Sequence, residues 1–242
     1  MRGLTRIRAL AGHRASAAQD PEAAHDQLLA TLPPWVDPLA GIALDVGANE
    51  GDWTAAALAA FPGLRVLAIE PSPAPRELLQ RRFGEEAAVT IDPRAVSDTA
   101  GTATFHATRA SVFGSLLAPV AGLGEMYEVA HGGPTEELEA FEVDTATLDE
   151  IVGERPVSLV KLDVQGAEME VLRGGRRTLQ RAQALLVEVL FQHHYDGDAT
   201  FPELHAALTE LGFDLIDLGR PVRIDRGPAL YGDACYARAA VA

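Results

Sequence analysis

The chain reads as an α/β protein: a mostly parallel sheet with helices on both faces and an antiparallel edge. Three observations predict this class. Short apolar runs recur at 41–46 (GIALDV), 65–69 (RVLAI), 158–164 (SLVKLDV) and 184–190 (ALLVEVL), and a helix-forming stretch follows each of them. The last two apolar runs, 213–218 and 230–237, have no helix between them, which predicts an antiparallel pair. The 242 residues, 48% hydrophobic and 23% charged, fit one ordinary domain, or a large domain with a small appendage.

In chain order, Asp20-Pro21-Glu22 is a helix start: a capping carboxylate, proline at the first helical position, then an acid in the first turn. That helix is expected to run to Leu32, where Pro33-Pro34 stops it. The strand 41–46 ends in a glycine-containing turn. An alanine-rich helix over 52–60 follows and stops at Phe61-Pro62-Gly63. A second strand at 65–69 and a second helix at 75–83, closed by Gly84, repeat the unit. A third strand is expected over 89–96. Residues 101–141 read as an insertion, with an exposed strand at 102–107 in a hairpin and a Gly/Pro/Glu-rich mobile loop at 119–137. Regular order is expected again from a short helix at 147–152 and the strand 158–164. A helix over 167–180 is interrupted by Gly174-Gly175, and 201–211 forms a helix ended by Gly212. The expected organisation is therefore a basic tail and helix over 1–40 and one domain over 41–242.

Composition narrows the function. Asp+Glu number 35 against Lys+Arg 20, a formal net charge of −15, and affinity for nucleic acid rests on cations that neutralise phosphates. No nucleic-acid partner is expected. The N-terminal Arg2, Arg6, Arg8 and Arg14 form a local exception, read as a frayed basic tail with no apolar stretch of signal-peptide length. No window approaches the ~18 apolar residues of a membrane span, so no membrane role is expected. Cys235 is the single cysteine, which excludes an intrachain disulfide and points to a cytoplasmic setting.

The strongest local feature is Leu44-Asp45-Val46-Gly47-Ala48-Asn49-Glu50-Gly51-Asp52: a strand delivers an acid, then a turn with two glycines opens a helix. Such glycines let backbone turn tightly and lie against a ligand, with helix N–H groups presented to it. The spacing is G-x-x-x-G rather than the dinucleotide G-x-G-x-x-G. Asp45, Glu50 and Asp52 would also repel a pyrophosphate, so a nicotinamide oxidoreductase is disfavoured. About 20 residues beyond Gly51, Glu70 ends the second strand, where a carboxylate can take ribose hydroxyls or simply cap the following helix. Pro33-Pro34-Trp35 superficially matches an amino-methyltransferase element, but Leu32 stands where a polar residue is needed.

Asp45–Gly51 (DVGANEG), IEP at 69–71, AVSD at 95–98 with Gly101, KLDVQGAE at 161–168, VEVLFQHHY at 187–195 and Gly232-Asp233 together resemble FkbM-type methyltransferases. The resemblance implies a class I, Rossmann-like methyltransferase fold: a three-layer sandwich whose mostly parallel seven-stranded sheet carries an antiparallel C-terminal strand. It implies S-adenosyl-L-methionine as cofactor and methylation of a hydroxyl on a small metabolite such as a sugar or polyketide. A non-catalytic adenosyl-binding or scaffold protein is the alternative. Under the resemblance Asp45, Gly47 and Gly51 line the methionine end, Asn49 hydrogen-bonds its carboxylate or a neighbouring backbone, Glu70 holds the ribose, and Ser97 and Asp98 contact adenine, Asp98 being otherwise a turn acid. Gln165 stands where the family often has glutamate.

An alcohol acceptor loses a proton, so a base helps. Asp163, near the carboxyl end of the fourth parallel strand, is the first candidate. Glu168 at a helix start is the second, and His193 or its neighbour His194 the third. Lys161 alternates to the same side as Asp163, which suggests a structural pair as readily as catalysis. Glu188, an acid within an apolar strand, either faces the substrate or pairs with a buried cation. Adjacent histidines in extended chain point apart, so no metal is assigned. The acceptor pocket is expected from 105–133 and 191–201, and the middle insertion is read as a lid or as the interface of a homo-oligomer.

Overall fold

A computed structural model describes residues 28–108, 111–124, 137–224 and 227–239. Most of the helix expected over 20–32 and most of the loop expected over 119–137 lie outside them; residues 28–30 are helical. Parallel strands β1 (Ile42–Val46), β2 (Val66–Ile69) and β3 (Val89–Asp92) alternate with helices α1 (Asp52–Ala60) and α2 (Pro73–Phe83). Then come β4 (Ala95–Val96), β5 (Gly101–Thr108) and β6 (Glu137–Ala146). The second half runs α3 (Leu148–Val152), β7 (Val157–Leu162), α4 (Glu168–Gly174), α5 (Arg176–Arg181), β8 (Ala184–Leu190), α6 (Phe201–Glu210), β9 (Asp214–Leu218), β10 (Val222–Arg223) and β11 (Ala229–Ala237).

The main sheet has the order β10-β11-β8-β7-β1-β2-β3, with β9 also on β11. It has eight strands rather than the expected seven, because the chain between β9 and β11 adds the two-residue β10. The closing strands are antiparallel as expected, with β11 lying between β8 and β9. Strand faces follow the period-2 rule. Ile42, Leu44 and Val46 pack with Val171, Leu179, Leu204 and Leu208 under α4, α5 and α6, while Ala43 packs with Trp53 and Ala57 of α1 on the opposite face. Helices on both faces of the sheet make three layers.

The expected third strand over 89–96 is two strands in two sheets. Pro93 has no N–H to donate, and the Asp92 carboxylate turns the chain by accepting from the Arg94 N–H at 3.0 Å. Ala95–Val96 then pairs with Thr145–Ala146 in a three-stranded sheet of order β4-β6-β5. The hairpin expected in the insertion is present as β5 against β6. Helix 167–180 is divided at Gly175, as its glycines suggested. Among the described residues no helix is long and apolar enough to cross a membrane.

Candidate functional site

Strand order reverses between β1 and β7, and the crevice outside the carboxyl ends of strands at such a point is where open α/β sheets bind ligands. A cavity of about 430 Å³ lies there, within the roughly 300–1,000 Å³ usual for small-molecule sites. The turn after β1 forms its floor. Gly47 (φ +80°) brings backbone so close to the chain after β7 that a Cβ would stand 1.9 Å from the Asp163 carbonyl oxygen. Gly51 (φ +87°) begins α1, and a Cβ there would stand 2.6 Å from both Leu79 and Phe83. These glycines are needed for the turn and for α2 to pack on it.

Lys161 ties the two strands together. Its Nζ donates to the Gly47 carbonyl at 2.8 Å and stands 3.4 Å from both Asp45 Oδ1 and Asp163 Oδ2. Burial alone would lower the lysine pKa; Asp163 and Asp45 outweigh it and push it up, so the ammonium stays charged. Thr54 Oγ1 donates to Asp45 Oδ2 at 2.6 Å. Asp45 is therefore a buried anchor for Lys161 and Thr54 beneath the cavity rather than part of its wall.

Glu70 faces the cavity from the end of β2. Its two oxygens accept from the backbone N–H groups of Asn49 and Ser72, each at 2.8 Å. Burial raises its pKa to about 7, against the lowering effect of those donors. Asn49 lines the cavity in a left-handed conformation (φ +47°), and its Oδ1 is buried with no partner among the described residues. Glu50 and Asp52 also belong to this wall, with the Asp52 carboxylate accepting from Arg82 at 2.6 Å.

The opposite wall is acidic and aromatic. Asp163, Gln165, Glu188, Tyr231 and Asp233 line it, and Glu188 and Asp233 are directly opposed on β8 and β11. Burial pushes Glu188 well up, helped by Asp163 and Asp233; Asp233 is raised to about 6 by burial and then by Asp163. Phe105, Val112, Phe113 and Leu116, from the small sheet and the segment after it, close the cavity with apolar surface.

The structure brings together Gly47, Asn49, Glu70 and Asp163, and places the other expected site residues elsewhere. Gly51 and Asp45 lie under the wall. Ser97 and Asp98 miss the cavity because the chain has turned into the small sheet: Ser97 Oγ donates to Glu170 at 3.0 Å, Asp98 is exposed, and Ala95 and Val96 line the cavity instead. Glu168 is buried behind the wall, where Oε1 accepts from the Val164 and Gly166 N–H groups and shapes the turn after β7. Burial lifts its pKa to about 7. His193 points to solvent, its Nδ1 2.5 Å from Asp198 Oδ1, and this bond raises its pKa. Burial instead lowers that of His194 to about 4. Of the region expected to form the acceptor pocket, 105–116 contributes. No residue of 191–201 lines the cavity; Tyr195 stands behind it, its hydroxyl 2.9 Å from Gln165 Oε1. The cavity-lining positions of Asp233, Tyr231 and Gln165 were not read from sequence. The direct opposition of β8 and β11 creates that wall, and only the Gly232-Asp233 pair and the odd Gln165 pointed toward it. Among the described residues no group of three His, Cys, Asp or Glu could hold a metal ion.

Residues 45–215 match the family described as the methyltransferase FkbM domain. The 2-O-methyltransferase NoeI of Sinorhizobium fredii is 28% identical over 166 residues, which is 64% of this chain and 66% of that protein. The 31-O-demethyl-FK506 methyltransferase FkbM of Streptomyces tacrolimicus is 29% identical over 196 residues, 72% of this chain and 73% of its own. The crystal structure of a methyltransferase FkbM from Methylobacillus flagellatus superposes with a TM-score of 0.54 at 16% identity, covering 98% of this chain and 59% of that one. This last likeness concerns the fold, and it is the class I methyltransferase fold.

Proposed function

Since the chain belongs to the FkbM methyltransferase domain family, we propose that it is an S-adenosylmethionine-dependent methyltransferase acting on a hydroxyl of a small metabolite. The observation that carries this reading is the cavity wall of Gly47, Asn49 and Glu70 facing Asp163 across the switch point. Those residues fit the cofactor. Glu70 is a carboxylate fixed by two backbone donors with acceptor capacity left for ribose hydroxyls. Asn49 offers an unpartnered buried amide oxygen. The acidic residues at 50, 70, 163, 188 and 233 that line the cavity suit a cation such as a sulfonium better than a pyrophosphate.

When bound, S-adenosylmethionine supplies a methyl group activated by its sulfonium. The chain's part is alignment and proton handling. Rate in such a displacement comes chiefly from holding the acceptor oxygen in line at near-attack distance. The apolar surface of Phe105, Val112, Phe113 and Leu116 supports this by excluding water. Asp163, held beside Lys161, takes the hydroxyl proton. Glu168 and His193 have no direct part, because neither reaches the cavity. The hydroxyl target follows the two curated relatives, whose names specify O-methylation.

Two measurements test the proposal. Adenosylhomocysteine is expected to raise the melting temperature and NAD to leave it unchanged; at a hundredfold excess over Kd the stabilisation is about 2.7 kcal/mol. Transfer of labelled methyl from S-adenosylmethionine to a panel of sugars and other alcohols should then find an acceptor. Stabilisation by NAD and not by adenosylhomocysteine would overturn the reading.

A further inference from the structure

The turn after β7 holds one side chain that the reading above leaves without a role. Gln165 is buried, with φ +54°, a left-handed conformation uncommon for a residue other than glycine. Three contacts fix the turn around it. Glu168 Oε1 accepts from the N–H groups on either side, those of Val164 and Gly166, and Ser115 Oγ donates to the Gln165 carbonyl at 2.7 Å. The side chain then reaches between two acids. Its Nε2 donates to Asp163 Oδ1 at 2.7 Å and to Glu188 Oε2 at 2.9 Å, while Oε1 lies 2.9 Å from the Tyr195 hydroxyl.

The chemistry of the neighbours decides which way this amide faces. Carboxylates accept hydrogen bonds, so the NH₂ end belongs between Asp163 and Glu188. The Tyr195 hydroxyl, which also has the Phe113 carbonyl at 3.1 Å, can donate to Oε1. Turning the amide over would set its oxygen against two acids. We infer that Gln165 is a positioning residue: its amide, aimed by Tyr195, bridges Asp163 and Glu188, holds the two acids together in the cavity wall and favours the ionised form of Glu188.

The inference rests on the reading of Asp163 as the base for methyl transfer and deepens it. The groups facing Glu188 are Asp163 and Lys161 from β7 and its turn, Asp233 and Tyr231 from β11, Glu168 from α4, and Tyr195. This set is rich in acids, and Lys161 is committed to Gly47, Asp45 and Asp163. A neutral donor at 165 favours the ionised form of Glu188 without adding a charge. A glutamate there would bring a third carboxyl between two others and would have to hold a proton itself.

The test is a carboxyl-detected NMR titration of the full chain labelled with ¹³C-glutamate, free of cofactor and acceptor, with Glu188 assigned through Glu188→Gln. Gln165→Met removes the donor, and the Glu188 midpoint is expected to rise by about one unit or more. Tyr195→Phe removes the group that aims the amide and should move the midpoint the same way by roughly 0.3 unit or more. Gln165→Glu should add one glutamate that titrates above the ordinary range. A Glu188 midpoint unchanged in folded Gln165→Met overturns the inference; should that variant fail to fold, an unchanged midpoint in Tyr195→Phe does the same. The titration involves no methyl transfer, so its failure is distinguishable from a failure to bind S-adenosylmethionine.

Discussion

Replacing Glu168 by glutamine should make the protein more stable at pH 8 while changing little near pH 5. Glu168 is 3% exposed, and its Oε1 accepts the Val164 and Gly166 N–H bonds. Glutamine keeps that acceptor and removes the ionisation. The folded pKa, raised from 4.5 to about 7 chiefly by burial, means that the native state holds a proton between those values when the unfolded chain has lost it. Stability therefore falls as pH rises through this window and is lowest above it. At 1.36 kcal/mol per unit the full effect is about 3 kcal/mol. Urea unfolding of wild type and Glu168→Gln at pH 5 and pH 8 measures it. Glu70, Glu188 and Asp233 are also raised, so the wild-type profile slopes more steeply than one group requires. The difference between the two proteins isolates Glu168. A difference that is the same at both pH values would refute the argument that this carboxyl is buried at an electrostatic cost.

Three further outcomes are expected. Arg238→Ala should destabilise by about 3 kcal/mol in denaturant melts, because the guanidinium donates to the Leu179, Ala182 and Leu211 carbonyls at 3.0 Å and lies 4.2 Å over Phe213. Gly51→Ala should cost about 2 kcal/mol or more by the same assay, since alanine is strained at φ +87° and its Cβ would meet Leu79 and Phe83. Asp198→Asn should return the His193 midpoint toward about 6.5 in an imidazole NMR titration, because the Asp198 hydrogen bond is what raises it. The stability this histidine pair contributes is present at low pH and is lost as pH rises through the folded pKa.

Much of the scaffold was legible because its determinants are local. Apolar runs at 41–46 and 184–190, the divided helix at Gly174-Gly175 and the DVGANEG turn each announce themselves within ten residues. Glu70 was legible for the same reason, since a strand end fixes where an acid points. What escaped depends on long-range pairing. Pro93 is the signal that 89–96 is not one strand, and its turn sets Ala95 and Val96 at the cavity where an unbroken strand would bring Ser97 and Asp98. The placement of β11 beside β8 sets Asp233 opposite Glu188, and nothing in either strand's own sequence specifies that register. Glu168 and His193 were plausible bases by residue type. Glu168 is buried by the turn it supports, and His193 is turned away by Asp198, partners that only the folded chain supplies.

The most direct test is calorimetric titration of the wild-type protein and Glu70→Ala with S-adenosylmethionine and adenosylhomocysteine. Binding to the wild type that Glu70→Ala weakens at least about tenfold, the loss of a charge-assisted hydrogen bond, is the predicted result. A folded wild-type protein that binds neither compound would contradict the methyltransferase reading and leave a scaffold that keeps the fold without the chemistry.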